Sequence, residues 1–397
     1  MKALNIIGGT YVENCYEPQY NNLFGSGFRG AQALAEKSFN INFYSCIGSN
    51  WLETAQYNSE VLGINSKFLL IERSVEWDYY HPLSPPVAIN LPSKIYDIPR
   101  IKGENFLYYG MIEAQTKIEG NYVVYDPQNH KSFKETRSTA KHLALILNKK
   151  EALLFSDSDQ TNLEGIGKSL LSTENAEVVV IKNGSQGALV FHKSEVTNIP
   201  VFETEKVWPI GTGDIFSAVF AWKWIIEKCS PHQSAFEASK HVAHYCQTRT
   251  LPLNLGTAVY QEITNPSIGN KIYLAGPFFS IGERYLINEF RNSLMDFGNR
   301  VFSPYHDAGI LMDDYTNEQA KQIAEIDLKQ IEDCNVVLAV ATGKDLGTSV
   351  EIGYALSLGK KVIVFAENLN RNDLPMLIGT GCEVIEDFST AVYKASW

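Results

Sequence analysis

The sequence predicts an α/β protein built from two doubly wound domains. Three observations carry the prediction. Short apolar runs alternate with amphipathic helical patterns in two blocks. Several of those runs end in Gly, Asn, Asp or Ser. An aperiodic stretch, "LPLNLGTAVYQEITNPSIGN", separates the blocks. Such alternation implies mainly parallel sheets with helices on their faces. The boundary falls near Asn265 to Asn270, dividing the chain into domains 1–265 and 271–397.

In the first block the predicted strands are "KALNIIGG", "INFYSCIGS", "NYVVYDPQN", "EALLFSDS" and "AEVVVIKNG". The helices between them are "FRGAQALAEK", "STAKHLALILNKK" and "TNLEGIGKSLL". "DIFSAVFAWKWIIEKCS" and "HQSAFEASKHVAHYCQTRT" are two more. The Pro- and aromatic-rich "SVEWDYYHPLSPPVAINLPSKIYDIPR" reads as a lid or an excursion from the sheet edge. The second block opens with the strand "KIYLAG", the helix "GERYLINEFRNSLMDFG" and the strand "RVFSP". A helix opened by the capping box "TNEQ", the strand "NVVLAVA", a helix after Gly347 and the strand "KKVIVF" complete it.

The 397 residues carry a formal net charge of −11, with 45% hydrophobic and 20% charged residues. That composition supplies ample core. It argues against a surface for polymeric nucleic acid, because phosphate contacts need clustered Lys and Arg. A single nucleotide in a local pocket remains compatible. The six cysteines, Cys15, Cys46, Cys229, Cys246, Cys334 and Cys382, form no CxxC pair and no Cys/His metal spacing. They read as reduced, and no metal site is expected from them. No run approaches the ~20 apolar residues of a membrane span, and the N-terminus lacks the apolar segment of a signal peptide. A cytoplasmic protein is the expectation.

The second block holds a concentration of carboxylates. Ligands of parallel α/β sheets bind beyond the carboxyl ends of the strands. "YLAGPFF", "EIDLKQI" and "TGKDLGTSVE" bring Tyr273, Asp327, Asp345 and Glu351 towards that edge. Glu351 admits two readings. Thr348-Ser349-Val350-Glu351 fits a capping box, with Thr348 as N-cap and Glu351 reaching back to its amide. A carboxylate held in a first helical turn is also placed to act as a nucleophile, kept ionised by the positive helix end.

The runs "IYLAGPFF", "DLKQIEDCNVVLAV" and "DLGTSVEIGYALSLGKKVIV" resemble the nucleoside 2-deoxyribosyltransferase family, from residue 271 to the end. The resemblance implies a flavodoxin- or Rossmann-like parallel sheet and no cofactor. It makes Glu351 the nucleophile at C1′ of the deoxyribose and has Asp327 assist at the base. Tyr273, Gly276, Asp345, Gly347, Thr348 and Ser349 would bind and place the substrate. A second base or water then takes the sugar. A related branch hydrolyses deoxynucleoside 5′-monophosphates and has Ser at the position of Asp345. An anionic Asp345 therefore favours a nucleoside over a nucleotide, although Thr348 and Ser349 keep hydroxyls that could meet a phosphate. Family members build active sites at subunit contacts. With Tyr393 and Trp397 near the C-terminus, that predicts a homo-oligomer.

In the first block "PIGTGDIFSAVFAW" sets Gly211-Thr212-Gly213 before a helix with Asp214 at its start. The plain reading is an Asp N-cap after a glycine turn. The chemical reading is an anion hole beside a catalytic base. With "NIIGG", "VVYDPQNH" and "VVVIKNGSQGALVF", the block resembles the ribokinase-like (PfkB) sugar and nucleoside kinases. The resemblance implies a ribokinase-like sandwich using ATP and Mg²⁺. Asp214 would be the base, Gly211, Thr212 and Gly213 the anion hole, and Asn183 and Gly184 neighbours of ATP. Departures are visible. Trp208 replaces an Asp, and Ser156 and Asp159 replace an Asn and a Glu that organise the metal. Gly48-Ser49 replaces a Gly-Asp, and the sugar motif is only loosely echoed by "GSGFRGAQA". An active kinase and a degenerate one that binds nucleotide or serves as scaffold both stay open. The combined expectation is an enzyme of nucleoside metabolism, and the alternative is a nucleotide sensor.

Overall fold

A computed structural model describes residues 2–128, 131–156, 162–263, 269–310, 314–342, 344–367 and 369–397. The chain divides into two compact units, Met1–Thr264 and Asn265–Trp397. Both are α/β.

The first unit is built on a nine-stranded sheet. From one edge the strands run Glu195–Ile199, Ala188–His192, Val178–Lys182, Thr139–Asn148, Ile118–Asp126, Ile101–Tyr109, Ala3–Ile7, Asn40–Gly48 and Asn65–Ile71. Pairing is parallel except where Ala188–His192 pairs antiparallel with Val178–Lys182 on one side and Glu195–Ile199 on the other. Strands such as Ala3–Ile7 and Val178–Lys182 are buried almost throughout and are mostly Val, Ile and Leu, as a sheet covered on both faces requires. The Pro- and aromatic-rich segment contributes Glu76–Tyr79 and Val87–Ile89. They join Val12–Cys15 and Tyr20–Leu23 in a separate four-stranded sheet.

Two sequence expectations are reversed here. Residues 138–150 are expected as helix and 151–158 as strand. The structure instead has a strand at Thr139–Asn148 and a helix at Lys149–Leu154. An apolar run buried on both sides satisfies a helical and a strand pattern alike. The deciding signal is local. Asn148 accepts from the Glu151 amide while the Glu151 carboxylate accepts from the Asn148 amide, a capping box that opens the helix there. Ile101–Tyr109, absent from the sequence reading, sits mid-sheet. Its first half alternates with Lys102, Gly103 and Glu104, which hides the apolar second half.

The second unit has five parallel strands in the order Arg300–Phe302, Lys271–Ala275, Val336–Val340, Lys361–Phe365, Glu383–Ile385. This is the doubly wound order whose switch point lies between the first and third strands. Helices Ile281–Asp296, Asn317–Asp333, Leu346–Ser357 and Phe388–Ser396 cover it. The "TNEQ" box is present, with Thr316 and Gln319 in reciprocal bonds. The terminal aromatics differ from expectation. Tyr393 and Trp397 are half-buried in their own unit, with the Tyr393 ring 4.8 Å from Phe297 and 5.6 Å from Trp397. No described helix is long and apolar enough to cross a membrane.

Candidate active sites

In the second unit the strand Lys271–Ala275 carries Tyr273 to the switch point. Its ring is fully buried and stacks on Phe302 at 5.7 Å. The strand then turns at Gly276, where a Cβ would lie 2.6 Å from Ile287 Cδ1 and 2.9 Å from Val340 Cβ. No other residue would let the two strand ends stay this close.

The helix after Val336–Val340 does not begin as the sequence suggests. Asp345, not Thr348, is the N-cap of Leu346–Ser357. Its Oδ2 accepts from the Thr348 amide at 2.6 Å and from the Thr348 hydroxyl at 2.8 Å, and the Ser349 hydroxyl donates to the Asp345 carbonyl at 2.9 Å. Glu351 therefore sits in the second turn and closes no capping box. The physical reason is that Asp345 outcompetes Thr348 as acceptor, carrying a full charge at the positive helix end.

Released from capping, the Glu351 carboxylate accepts a 2.6 Å bond from the Tyr273 hydroxyl. Burial pushes its carboxyl up from 4.5 to about 7. The Tyr273 bond pulls it down, and the charges of Asp327 and Asp345 push it further up. The expectation of a carboxylate kept ionised by the helix end is thus corrected. The Tyr273 phenol is held far above its ordinary value, first by burial and then by Glu351, so it stays a donor. Asp327, on the helix Asn317–Asp333, is half-buried, and burial raises it to about 6. Its Oδ1 is buried and makes no hydrogen bond. Tyr273, Asp327, Asp345 and Glu351 thus come together as the sequence suggests. Gly347 lies beside the Asp345 carboxylate. Thr348 and Ser349 are held as its cap.

In the first unit Gly211 takes φ +81 and caps the helix Thr212–Ala221 without a side chain. Asp214 is the third helical residue, not the N-cap. Its Oδ2 accepts from Arg29 Nη1 at 2.7 Å, its Oδ1 from Gln128 Nε2 at 3.2 Å, and its carbonyl from the Tyr109 hydroxyl at 2.7 Å. Burial pushes Asp214 up to about 6, against the pull of Arg29. The other guanidinium nitrogen of Arg29 bonds Glu13. Behind this group, Asp126 accepts from Lys182 Nζ at 2.8 Å and from Ser217 at 2.6 Å. Burial opposes the charge on Lys182, but Asp126 outweighs it and the amine is raised. Lys182 Nζ lies 3.3 Å from where a Cβ on Gly213 would be.

Asn183 and Gly184 follow that lysine into a short turn, where the Asn183 amide bonds Gln186 at 2.7 Å. Trp208 is buried core, its ring 4.9 Å from Tyr20. The Gly48 amide donates to Ser74 at 2.9 Å. Ser156 is half-buried, and Asp159 lies outside the described residues. Sequence reading missed Glu13, Arg29, Asp126 and Lys182. One signal was available: an arginine in the Gly- and Ala-rich "GSGFRGAQA" cannot be buried unpaired. Among the described residues, no group of three or more His, Cys, Asp or Glu side chains could hold a metal ion.

Two family models match separate stretches of the chain. Residues 272–389 match the family model described as nucleoside 2-deoxyribosyltransferase. Residues 108–245 match the model described as pfkB family carbohydrate kinase. A curated 2-dehydro-3-deoxygalactonokinase of Haloferax volcanii is 35% identical over 97 residues, which is 23% of this chain and 30% of that protein. The chain thus spans under a third of the curated relative's length. Among solved structures, the Salmonella enterica aminoimidazole riboside kinase is 12% identical with a TM-score of 0.49, covering 62% of this chain and 94% of that one. The Methanocaldococcus jannaschii nucleoside kinase is 15% identical with a TM-score of 0.47, covering 64% and 95%. The Thermotoga maritima ribokinase is 17% identical with a TM-score of 0.46, covering 64% and 95%.

Proposed function

We propose that the C-terminal unit cleaves the N-glycosidic bond of a deoxynucleoside, with Glu351 as nucleophile and Asp327 as proton donor to the base. The observation that carries this reading is the 2.6 Å bond from a permanently protonated Tyr273 to a carboxylate at the switch point. In the first step a Glu351 oxygen bonds to C1′ and the C1′–N bond breaks. Its electron pair goes to the base, which takes a proton from Asp327. The sugar remains as an ester of Glu351. In the second step the oxygen of water, or a ring nitrogen of a second base, bonds to C1′ and gives up one proton to Asp327, while the C1′–O bond of the ester breaks and releases the Glu351 carboxylate. The developing oxocarbenium charge favours a carboxylate close on one face, as in retaining glycosidases. Tyr273 keeps Glu351 aimed and lowers its proton affinity.

Asp345 supports a nucleoside over a 5′-monophosphate. The helix end that would attract a phosphate already holds a carboxylate, and the Thr348 and Ser349 hydroxyls donate to Asp345. Assembly as a homo-oligomer belongs to the same reading. It now rests on Leu346 and Val350, 81% and 65% exposed on the Glu351 helix, and no longer on the terminal aromatics. Light scattering that finds a fully active monomer would refute it. The chemistry is tested by mixing the chain with a 2-fluoro-arabinosyl nucleoside. A pentose adduct on the Glu351 peptide is expected by mass spectrometry, and none in Glu351→Gln. No adduct, together with a fully active Gln variant, refutes the assignment.

The first unit supports a second, phosphoryl-transfer reading on a specific observation. A left-handed glycine turn opens a ten-residue helix with the Lys182 amine beside it. The amides of Gly211, Thr212 and Gly213 with Lys182 suit the phosphates of ATP, with Asn183 and Gly184 nearby and Mg²⁺ as counter-ion. Asp214 is then the candidate base.

A further inference from the structure

The second reading leaves Arg29 unexplained. This side chain is 1% exposed, yet it is a full charge inside the first unit. It lies between the candidate base, Asp214, and a second buried acid, Glu13. We propose that Arg29 is a built-in occupant of the acceptor pocket. Its guanidinium fills the place where a hydroxyl must sit to be activated, so the unit binds no acceptor while Arg29 is in place.

The proposal rests on the phosphoryl-transfer reading of Gly211 to Asp214. A general base must lie within hydrogen-bond reach of the proton it takes. Both Asp214 oxygens already have donors, Arg29 on one and Gln128 on the other. The charge on Arg29 does not titrate away, since Glu13, Tyr245 and Asp214 hold it well above its ordinary range although burial opposes it. Nor can the side chain step aside freely, because two buried carboxylates would lose their partner.

The backbone is shaped around this side chain. A Cβ on Gly211 would lie 2.2 Å from Arg29 Nε, and Gly211 holds φ +81 there. Glu13 is itself fixed by the Gly25 amide at 3.1 Å. The phenols of Tyr20, Tyr79, Tyr109 and Tyr245 also act on Arg29, and burial pushes each of them up. The buried carboxylates beside the candidate base therefore have every oxygen taken by the chain itself, Asp214 by Arg29 and Gln128, and Glu13 by Arg29 and the Gly25 amide. A purely structural ion pair, once truncated, would leave a cavity that takes back the guanidinium but no sugar. A plug would leave one that takes both.

The test uses the full chain carrying Arg29→Ala and a panel of pentoses, hexoses and polyols, with binding read by calorimetry. Ethylguanidinium, the fragment removed, is the positive probe. It also restores the ion pairs if the variant folds poorly alone. Base release from the C-terminal unit, in which Arg29 takes no part, reports that the chain is otherwise intact. The variant is expected to bind ethylguanidinium and at least one sugar in competition, and the wild type to bind neither. Arg29→Ala with Asp214→Asn should lose the competition. A variant that takes ethylguanidinium but no sugar overturns the proposal. So does a wild-type chain that binds or phosphorylates any member of the panel with ATP and Mg²⁺. A variant that binds a sugar without phosphorylating it leaves the plug standing and refutes the phosphoryl-transfer reading instead.

Discussion

Glu351, half-buried, and Asp214, buried, are both helical acids pushed up by burial, to about 7 and about 6. Their partners differ in kind. Glu351 meets a neutral phenol and the like charges of Asp327 and Asp345. Asp214 meets a guanidinium. A carboxylate without a counter-ion is held at a disadvantage that an electron-poor carbon can relieve. A carboxylate already paired with Arg29 has no such unmet need. A helical setting and the upward push of burial are common to the two acids; the charge of the nearest partner is what differs.

The comparison breaks most readily at Glu351. On the proposed reading, Glu351→Ala should lower base release on the order of 10³-fold or more. The far-UV spectrum should be unchanged, since Asp345 keeps the cap. Next in size is Arg29→Met. It leaves Glu13 and Asp214 buried without a cation, and should lower the stability of the first unit by about 3–5 kcal/mol in denaturant titrations. A loss below 1 kcal/mol would mean that the pair is not buried as described. Tyr273→Phe should then reduce base release by about 10- to 100-fold, the ordinary scale of one positioned catalytic bond. It should also move the alkaline limb of the pH profile to higher pH and lower the plateau, because the Tyr273 bond lowers the Glu351 carboxyl, the higher of the two groups.

The pH dependence is subtler. Attack needs Glu351 deprotonated and departure of the base needs Asp327 protonated. With the two groups raised to about 7 and about 6, the profile should be a narrow bell centred between those values. The limbs belong to the interacting pair and not to either residue. A flat profile from pH 5 to 9 would count against both assignments. The smallest effect is on stability. A carboxyl raised from 4.5 to about 7 favours the folded state below pH 4.5, and that contribution is lost as pH rises through 7. Glu351→Gln, neutral throughout, should therefore melt a few degrees above wild type at pH 8, with the gap closing towards pH 4.5. An equal gap at both ends would point to packing and not charge.

Much of this was legible in the sequence. The second unit was readable because most of its strands are short apolar runs separated by clear helical patterns. The cluster of Tyr273, Asp327, Asp345 and Glu351 follows from which loops leave which strand ends. The cap was misread because Thr348 and Asp345 both suit an N-cap, and only the chain's path shows which carboxylate reaches the free amides. In the first unit, Thr139–Asn148 was misassigned because a run buried on both faces has no polar side to set its period. The pairing of Arg29 with Glu13 and Asp214 lay out of reach for another reason. It joins residues 16 and 185 positions apart, and no local pattern reports a contact across that separation.

The Asp345 cap reaches beyond the fold. A helix end is the feature by which inorganic phosphate, sulfate and nucleotides commonly enter a cleft, and here the chain's own carboxylate holds those amides. On the nucleoside reading, turnover measured in phosphate buffer should match turnover in a zwitterionic buffer of equal ionic strength. In a mixture of nucleosides and their phosphates, the phosphates would be bystanders and not competitors.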